Sequence, residues 1–203
     1  MFFPSGVRTA VSLMIDLTLK LICDRLNAHL SALFSVPEDL VAIGPLNDAE
    51  GKPSAEARNR LTIFVTNIAQ DSMPRNDAAR GVAQIGQARP VHLDIYFMLA
   101  SGHDAEIYEE GLKLVSAALM FFQSNSVMTP QNTPEMPSGI SQLSIDIANL
   151  KVEEIGQLWG NLGGRYVPSV MFKVRSVMID AGLVKSITPL IRAPASSAKA
   201  EAG

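Results

Sequence analysis

Cysteine and histidine are the residues that would bind a transition metal in this chain, because thiolate and imidazole are the usual ligands of zinc and similar ions. Cys23 and His29 lie six residues apart in a predicted helix, so their side chains point about 120° apart. His92 and Asp94 share one face of a predicted strand, where they could hold a metal or act as a base and its orienting partner. No further ligand, His103 included, has the spacing of a metal site. The pair therefore predicts a polar sheet face or a subunit contact, and no metal.

Motifs of nucleophilic catalysis and of phosphate binding are absent from the sequence. There is no G-x-S-x-G elbow, and Cys23 falls inside an apolar helical pattern where a thiol behaves as a small hydrophobe. Gly156, Gly160, Gly163 and Gly164 cluster, but they have neither the order of a P-loop nor that of a dinucleotide-binding turn. The sequence thus indicates no catalytic residues and no cofactor, and it favours an assembly component over an enzyme.

Length and composition favour one domain of ordinary size. The chain has 203 residues, and we expect one domain over residues 1–180 followed by a flexible tail over 181–203. Lys and Arg total 17 against 20 Asp and Glu, so the net charge is −3, without the basic surface that binds nucleic acid. A single cysteine excludes an intrachain disulfide, and no run reaches the roughly 20 apolar residues that span a bilayer. We therefore expect a cytoplasmic protein with no nucleic-acid partner and no membrane insertion.

The periodicity of apolar residues predicts an α+β fold. Spacings of three and four residues predict helices, and alternation predicts strands. The predicted helices cover about 7–33, 105–123 and 152–162, and the predicted strands cover 60–68, 91–100, 143–148 and 167–179. Because helices and strands do not alternate regularly, we expect a mostly antiparallel four-stranded sheet with two long flanking helices, sandwich-like in its layers.

Two segments without sustained period, 69–89 and 124–139, are predicted to be long loops, and the tail beyond 180 is rich in Ala, Ser and Pro. Loops of this length are uncommon in compact domains and are usually functional or disordered. We expect both loops to contact neighbouring subunits. In the tail, Ile187, Leu190 and Ile191 could add a strand or an apolar anchor to a partner.

Several short stretches carry a resemblance to a known family. The most specific are Asn-Thr-Pro-Glu-Met-Pro at 132–137, Leu-Trp-Gly at 158–160, Tyr-Val-Pro-Ser-Val at 166–170 and Phe-Lys-Val-Arg at 172–175. Weaker matches lie at 43–45, 67–76 and 90–97. With these stretches the chain resembles the tail terminator or cap proteins of extracellular contractile injection systems, which are phage-tail-like particles.

The resemblance implies a structural role without catalysis. It implies a fold similar to phage tail terminators and a hexameric ring that contacts the inner-tube protein and the sheath protein, ends their polymerisation and couples them. It also implies assembly in the bacterial cytoplasm as part of a particle that can be released. The residues expected to make assembly contacts are Met73, Pro74, Arg75, Asn76, Asn132, Pro134, Glu135, Trp159, Tyr166, Lys173, Arg175, Ile187, Leu190 and Ile191. For the last three, in the tail, the expected partner is a sheath subunit.

Other interpretations stay open at this level. Trp159 and Tyr166 suit core packing as well as an interface, because large aromatic side chains dominate both. Lys173 and Arg175 suit a solvent-facing strand as well as a partner's acidic residues. The alternative functions are a small cytoplasmic enzyme, with a pocket built from His92 and Asp94 together with His103, and an adaptor that forms no ring.

Overall fold

The computed structural model describes residues 14–48, 51–71, 91–138, 140–163 and 165–179, the side chains of 176–179 excepted. Three helices and six strands lie in this part of the chain. In order they are α1 (Met14–Phe34), β1 (Val41–Ile43), β2 (Leu61–Gln70), β3 (Val91–Ser101), α2 (Tyr108–Ser124), β4 (Val127–Met128), β5 (Leu143–Ile147), α3 (Val152–Asn161) and β6 (Ser169–Ile179). A short 3-10 helix, Ala105–Ile107, precedes α2.

The strands form one mixed sheet in the order β1-β2-β3-β6-β5-β4. β1 and β2 are parallel, and every other neighbouring pair is antiparallel. The α+β class is thus confirmed, but the four-stranded count is wrong. The two missed strands, β1 and β4, are three and two residues long, which is too short for an alternating pattern to identify them.

Helices α1 and α2 pack on one face of the sheet and form the main core with it. Ile22, Leu26 and Leu30 of α1 are fully buried, as their spacing predicts, whereas Leu33 at the end of the same stripe is 53% exposed. In the core, rings from β6 and α2 pack at a tilt of 42°, with the centroids of Phe172 and Phe122 4.3 Å apart. The two long helices therefore share one side of the sheet.

Helix α3 packs on part of the opposite face. Trp159 lies there against Met98 and Ala100 of β3 in a second, smaller apolar cluster. Gly163 just after the helix adopts φ +63°, the left-handed geometry of a helix end. The sheet is therefore covered on both faces at this end, which is why both faces of β3 are buried from Phe97 to Ser101.

Register shifts occur on both sides of β3. The pairing of β2 with β3 shifts between Val65 and Asn67, and that of β3 with β6 shifts between Leu93 and Ile95. Leu61 and Ile63 are fully buried before the first shift, but Val65 at the shift is 37% exposed. The alternation that buries Leu61 and Ile63 therefore does not continue through Val65, because a bulge interrupts the two-residue period.

The first predicted loop begins later than the sequence predicts, and the second contains regular structure. β2 continues through Gln70, so the first predicted loop begins later than residue 69, and its remainder from 72 to 89 lies outside the described residues. The second, 124–139, is not structureless, because it contains β4 and several turns. Asp104 stands at the N-cap of the 3-10 helix, but its side chain makes no capping hydrogen bond and pairs with Arg58 at 3.1 Å.

Candidate assembly surfaces

A row of charged side chains crosses three strands on the sheet face opposite α1 and α2. Lys173 of β6 is paired across the sheet with Tyr96 of β3 and Asp146 of β5. Its ammonium lies 2.6 Å from Oδ2 of the buried Asp94, and 5.3 Å from the centroid of the Tyr96 ring. The hydrogen bond to Asp94 raises the pKa of Lys173 above its ordinary value. Lys173 is thus held inside this chain and is not a free contact for a partner's carboxylate.

Arg175 extends the same row toward the edge of the sheet. Its Nε lies 3.7 Å from Oδ2 of Asp146, and both side chains are more than a third exposed. A pair at this distance in water is weak and exchangeable. Arg175 therefore remains available to a partner in a way that Lys173 does not.

The residues of the possible enzyme pocket do not come together. His92 stands at the start of β3, while His103 follows its end, so about 30 Å of extended strand separates them. Asp94 is occupied by Lys173, and Nδ1 of His103 is 2.9 Å from the buried hydroxyl of Ser101. No group of three metal-ligating side chains occurs among the described residues.

The family-like loop at 132–137 is organised by Asn132. Its Oδ1 accepts hydrogen bonds from the backbone N–H of Thr129 (2.8 Å) and the hydroxyl of Thr133 (2.9 Å), and its Nδ2 donates to the carbonyl of Val127 (3.0 Å). Glu135 lies 3.8 Å from Arg25 of α1. Asn132 therefore shapes the loop, while Pro134 and Glu135 stand on its exposed side.

Trp159 and Tyr166 form an aromatic pair with different exposure. Trp159 is buried and Tyr166 is 64% exposed, and their rings meet edge to face at 5.8 Å between centroids. They line a cavity of about 420 Å³ at the end of the sheet, together with Tyr108, His103 and Arg165. Trp159 thus supports from within the core an exposed tyrosine that can contact another molecule.

A larger groove of about 680 Å³ lies between α1 and β1, and we name it the α1–β1 groove. The sequence does not predict this groove, since the groove depends on β1, which is too short for an alternating pattern to identify. Its lining includes Cys23, whose pKa is raised to about 11 by burial and by the nearby Asp24 and Asp39. The thiol is therefore neutral and unreactive near neutral pH, as its apolar helical setting predicts.

The remaining predicted contacts cannot be placed. Residues 73–76 and the tail residues Ile187, Leu190 and Ile191 lie outside the described part of the chain. Within the described part, no helix is both long enough and apolar enough to cross a membrane.

Among the described residues, this is an α+β protein whose exposed aromatic and charged side chains are spread along a sheet. The chain belongs to the Pvc16 N-terminal domain family, whose model matches residues 18–193. The resemblance to contractile injection system terminators is thereby confirmed.

Two solved structures are similar to this chain. A sheath/tube terminator of an extracellular contractile injection system, PVC, in its extended state superposes with a TM-score of 0.50 and 16% identity. The match covers 93% of this chain and 64% of that one. The tube-terminating cap of the anti-feeding prophage has a TM-score of 0.48 and 14% identity over 80% of this chain and 54% of that one. This chain thus spans less than two thirds of either structure, and no curated protein matches its sequence significantly.

Proposed function

We propose that this protein is a terminator of a contractile injection system, which forms a hexameric ring at the end of the tail and stops both inner tube and sheath from growing. Membership of the Pvc16 N-terminal domain family over residues 18–193 is the observation that carries the proposal. The fold shared with a PVC sheath/tube terminator agrees with it. The role is structural, and the partners are further copies of this chain, the tube protein and the sheath protein, met during assembly in the bacterial cytoplasm.

The surfaces of the described residues suit such a role. A ring built by rotation uses heterologous contacts, so each subunit presents two different patches. Tyr166, an exposed aromatic backed by a buried Trp159, has the character of an interface anchor. The loop carrying Pro134 and Glu135 is held in shape by Asn132 and can meet a partner with little loss of entropy.

The test is imaging of particles made with and without the gene for this chain. A terminator predicts that its loss gives tubes of uncontrolled length and sheaths that detach or contract early. Unchanged tail length together with unchanged sheath attachment would overturn the proposal.

A point variant tests whether Tyr166, the exposed member of the aromatic pair, contacts another subunit in the assembled particle. Tyr166→Ser removes the exposed ring and leaves Trp159 in place, and we expect fewer capped particles with an unchanged melting temperature of the isolated chain. Val152→Ser on α3 is the matched control, because Val152 is 81% exposed and has no aromatic support. Equal capping by both variants would remove Tyr166 from the interface.

A further inference from the structure

Strand β1 is an edge of the sheet, and half of its outward backbone groups have no partner among the described residues. The N–H of Leu61 donates to the carbonyl of Leu40 (2.9 Å) and the N–H of Gly44 donates to that of Ile63 (3.1 Å), so Leu40 and Gly44 face β2. Because backbone groups alternate along a strand, Val41 and Ile43 direct theirs away from the sheet. Those of Ile43 have no partner in the described part of the chain, and its side chain is 44% exposed.

The neighbouring outward groups, on Val41, are already occupied. Oδ1 of Asn27 accepts from the N–H of Val41 (2.8 Å), and Nδ2 of Asn27 donates to its carbonyl (2.9 Å). The side chain of Asn27 thus takes the place of a strand at one end of β1, while at the other end no described residue pairs with the edge. A strand added at this edge can therefore form backbone hydrogen bonds only from Ile43 toward the C-terminal end of β1.

The α1–β1 groove runs beside this open edge. Its lining combines an apolar floor with charged rims. The floor residues are Ile15, Leu19, Cys23, Val41 and Ile43, and the charged residues are Asp16, Lys20, Asp24, Asp39 and Arg60. Lys20 is bound to Asp24 at 3.0 Å, which leaves Asp16, Asp39 and Arg60 without an ion pair among the described residues and the lining with one more acidic than basic side chain. A groove between a helix and an edge strand binds an extended peptide by strand addition, and these charges favour a peptide with basic and apolar residues.

We infer that the α1–β1 groove binds residues 183–188 of a neighbouring copy of this chain. That segment reads Leu-Val-Lys-Ser-Ile-Thr, in which β-branched residues favour an extended strand and Lys185 faces the same way as Leu183 and Ile187. Pro189 follows and ends strand pairing. From 181 to 200 the chain has no Asp or Glu, so its charge complements that of the groove.

The position of β6 shows why the segment comes from another copy. Ile43, Ile63, Leu99 and Val170 are aligned across the sheet, so the open edge of β1 is level with Val170. The last residue of β6, Ile179, lies nine residues further, about 30 Å along the strand. Four residues from Ile179 to Leu183 span at most about 14 Å, and nine residues from Ile179 to Thr188 span at most about 32 Å. A strand beside Ile43 lies four strand spacings from β6 as well, about 19 Å across the sheet, so the straight distance exceeds both spans. The segment of the same chain therefore cannot enter its own groove.

This inference rests on the proposed hexameric ring and adds the contact that joins neighbouring subunits. Each copy offers one tail segment and one groove, which are two different patches, and repetition of this contact around a six-fold axis closes a ring. The part of the tail beyond Pro189, with Leu190 and Ile191, remains available for a sheath subunit.

Photo-crosslinking in the full chain tests the contact. Ile43→p-benzoylphenylalanine and, separately, Lys20→p-benzoylphenylalanine place a reactive group in the groove, and Val152→p-benzoylphenylalanine on α3 is the control position. Chains labelled with ¹⁵N and unlabelled chains are mixed before assembly, irradiated and digested, and native mass spectrometry of the same samples gives the oligomeric state. We expect mixed-isotope crosslinks from both groove positions to 183–188 and none from position 152.

The outcomes separate this inference from the proposed function. Rings without crosslinks to 183–188, or with crosslinks only within one isotope, would overturn the inference and leave the ring standing. Monomers at all concentrations, without such crosslinks, would overturn both.

Charge reversal provides a second measurement. Lys185→Glu should lower the crosslink yield by about threefold or more, since it brings a carboxylate to the acidic rim, and Asp39→Lys in the same chain should restore it. Lys199→Glu makes the same change outside the segment and should leave the yield unaltered. If Lys199→Glu lowers the yield as much as Lys185→Glu does, the attraction is unspecific and the inference fails.

Discussion

The ammonium of Lys173 on β6 and the carboxylate of Asp94 on β3 meet at 2.6 Å across two neighbouring strands, although 79 residues separate them in the chain. Asp94 is buried, and its Oδ1 has no hydrogen-bond partner among the described residues. The carboxylate depends on Lys173 for its neutralisation, because an unpaired buried charge is costly. The ion pair therefore joins the neighbouring strands β3 and β6, and neither residue is a free surface charge.

We expect Lys173→Met to destabilise the protein by about 3 kcal/mol, because it leaves Asp94 buried without a counter-ion. Urea unfolding followed by circular dichroism at pH 7 measures the change. Arg175→Met is the matched control on the same strand, and its exposed pair with Asp146 predicts a loss below about 1 kcal/mol. Equal losses of unfolding free energy in the two variants would show that the ion pair of Lys173 and Asp94 contributes no more than an exposed pair does.

Asn27→Ala should cost about 2–3 kcal/mol, because it leaves two backbone groups of Val41 without partners in a buried setting. Backbone hydrogen exchange should show faster exchange at Val41 than in the parent protein. Ser31→Ala on the same helix removes one exposed hydrogen bond to the carbonyl of Glu38 and should have little effect. Slow exchange at Val41 in the alanine variant would contradict the assigned role of Asn27.

Gly111→Ala should destabilise the protein by about 1–3 kcal/mol, because an added Cβ would overlap Oγ of Ser101 and lie 3.0 Å from the ring of His103. Gly156→Ala on α3 is the matched control, since no atom lies within 4 Å of its added Cβ. There the change should stabilise by about 0.5–1 kcal/mol, because alanine favours helix over glycine. Thermal unfolding of both variants shows whether the two changes have opposite signs.

The pKa of His103 in the folded protein is lowered from 6.5, mainly by burial, although Glu110 and Asp104 partly oppose the effect. The unfolded chain therefore binds the proton first as the pH falls. The stability contributed by neutral His103 is complete above pH 6.5 and is lost as the pH falls through the folded-state pKa. Urea unfolding at pH 7.5 and pH 5 should show this loss, and His103→Gln should remove that part of it. An NMR titration that places the pKa of His103 above 6.5 would contradict the prediction.

The helices and long strands could be predicted from the sequence because their signals are local. Burial of Ile22, Leu26 and Leu30 follows from helical spacing, and burial of Ile95 and Phe97 follows from alternation. The absence of catalytic motifs and the short family-like stretches also indicated the class of protein. Each of these conclusions depends on residues that are close in sequence.

The rest could not be predicted, because it depends on pairing between distant segments. β1 has three residues and exists because β2 and the side chain of Asn27 bind its backbone from either side. The bulge at Val65 and the link from Lys173 to Asp94 depend on strand register, which no single segment determines. The sequence by itself determined the elements, the apolar faces and the absence of a catalytic motif. Only the tertiary structure decided which charges are neutralised within the chain and which strand edge stays open, because both follow from long-range register and packing.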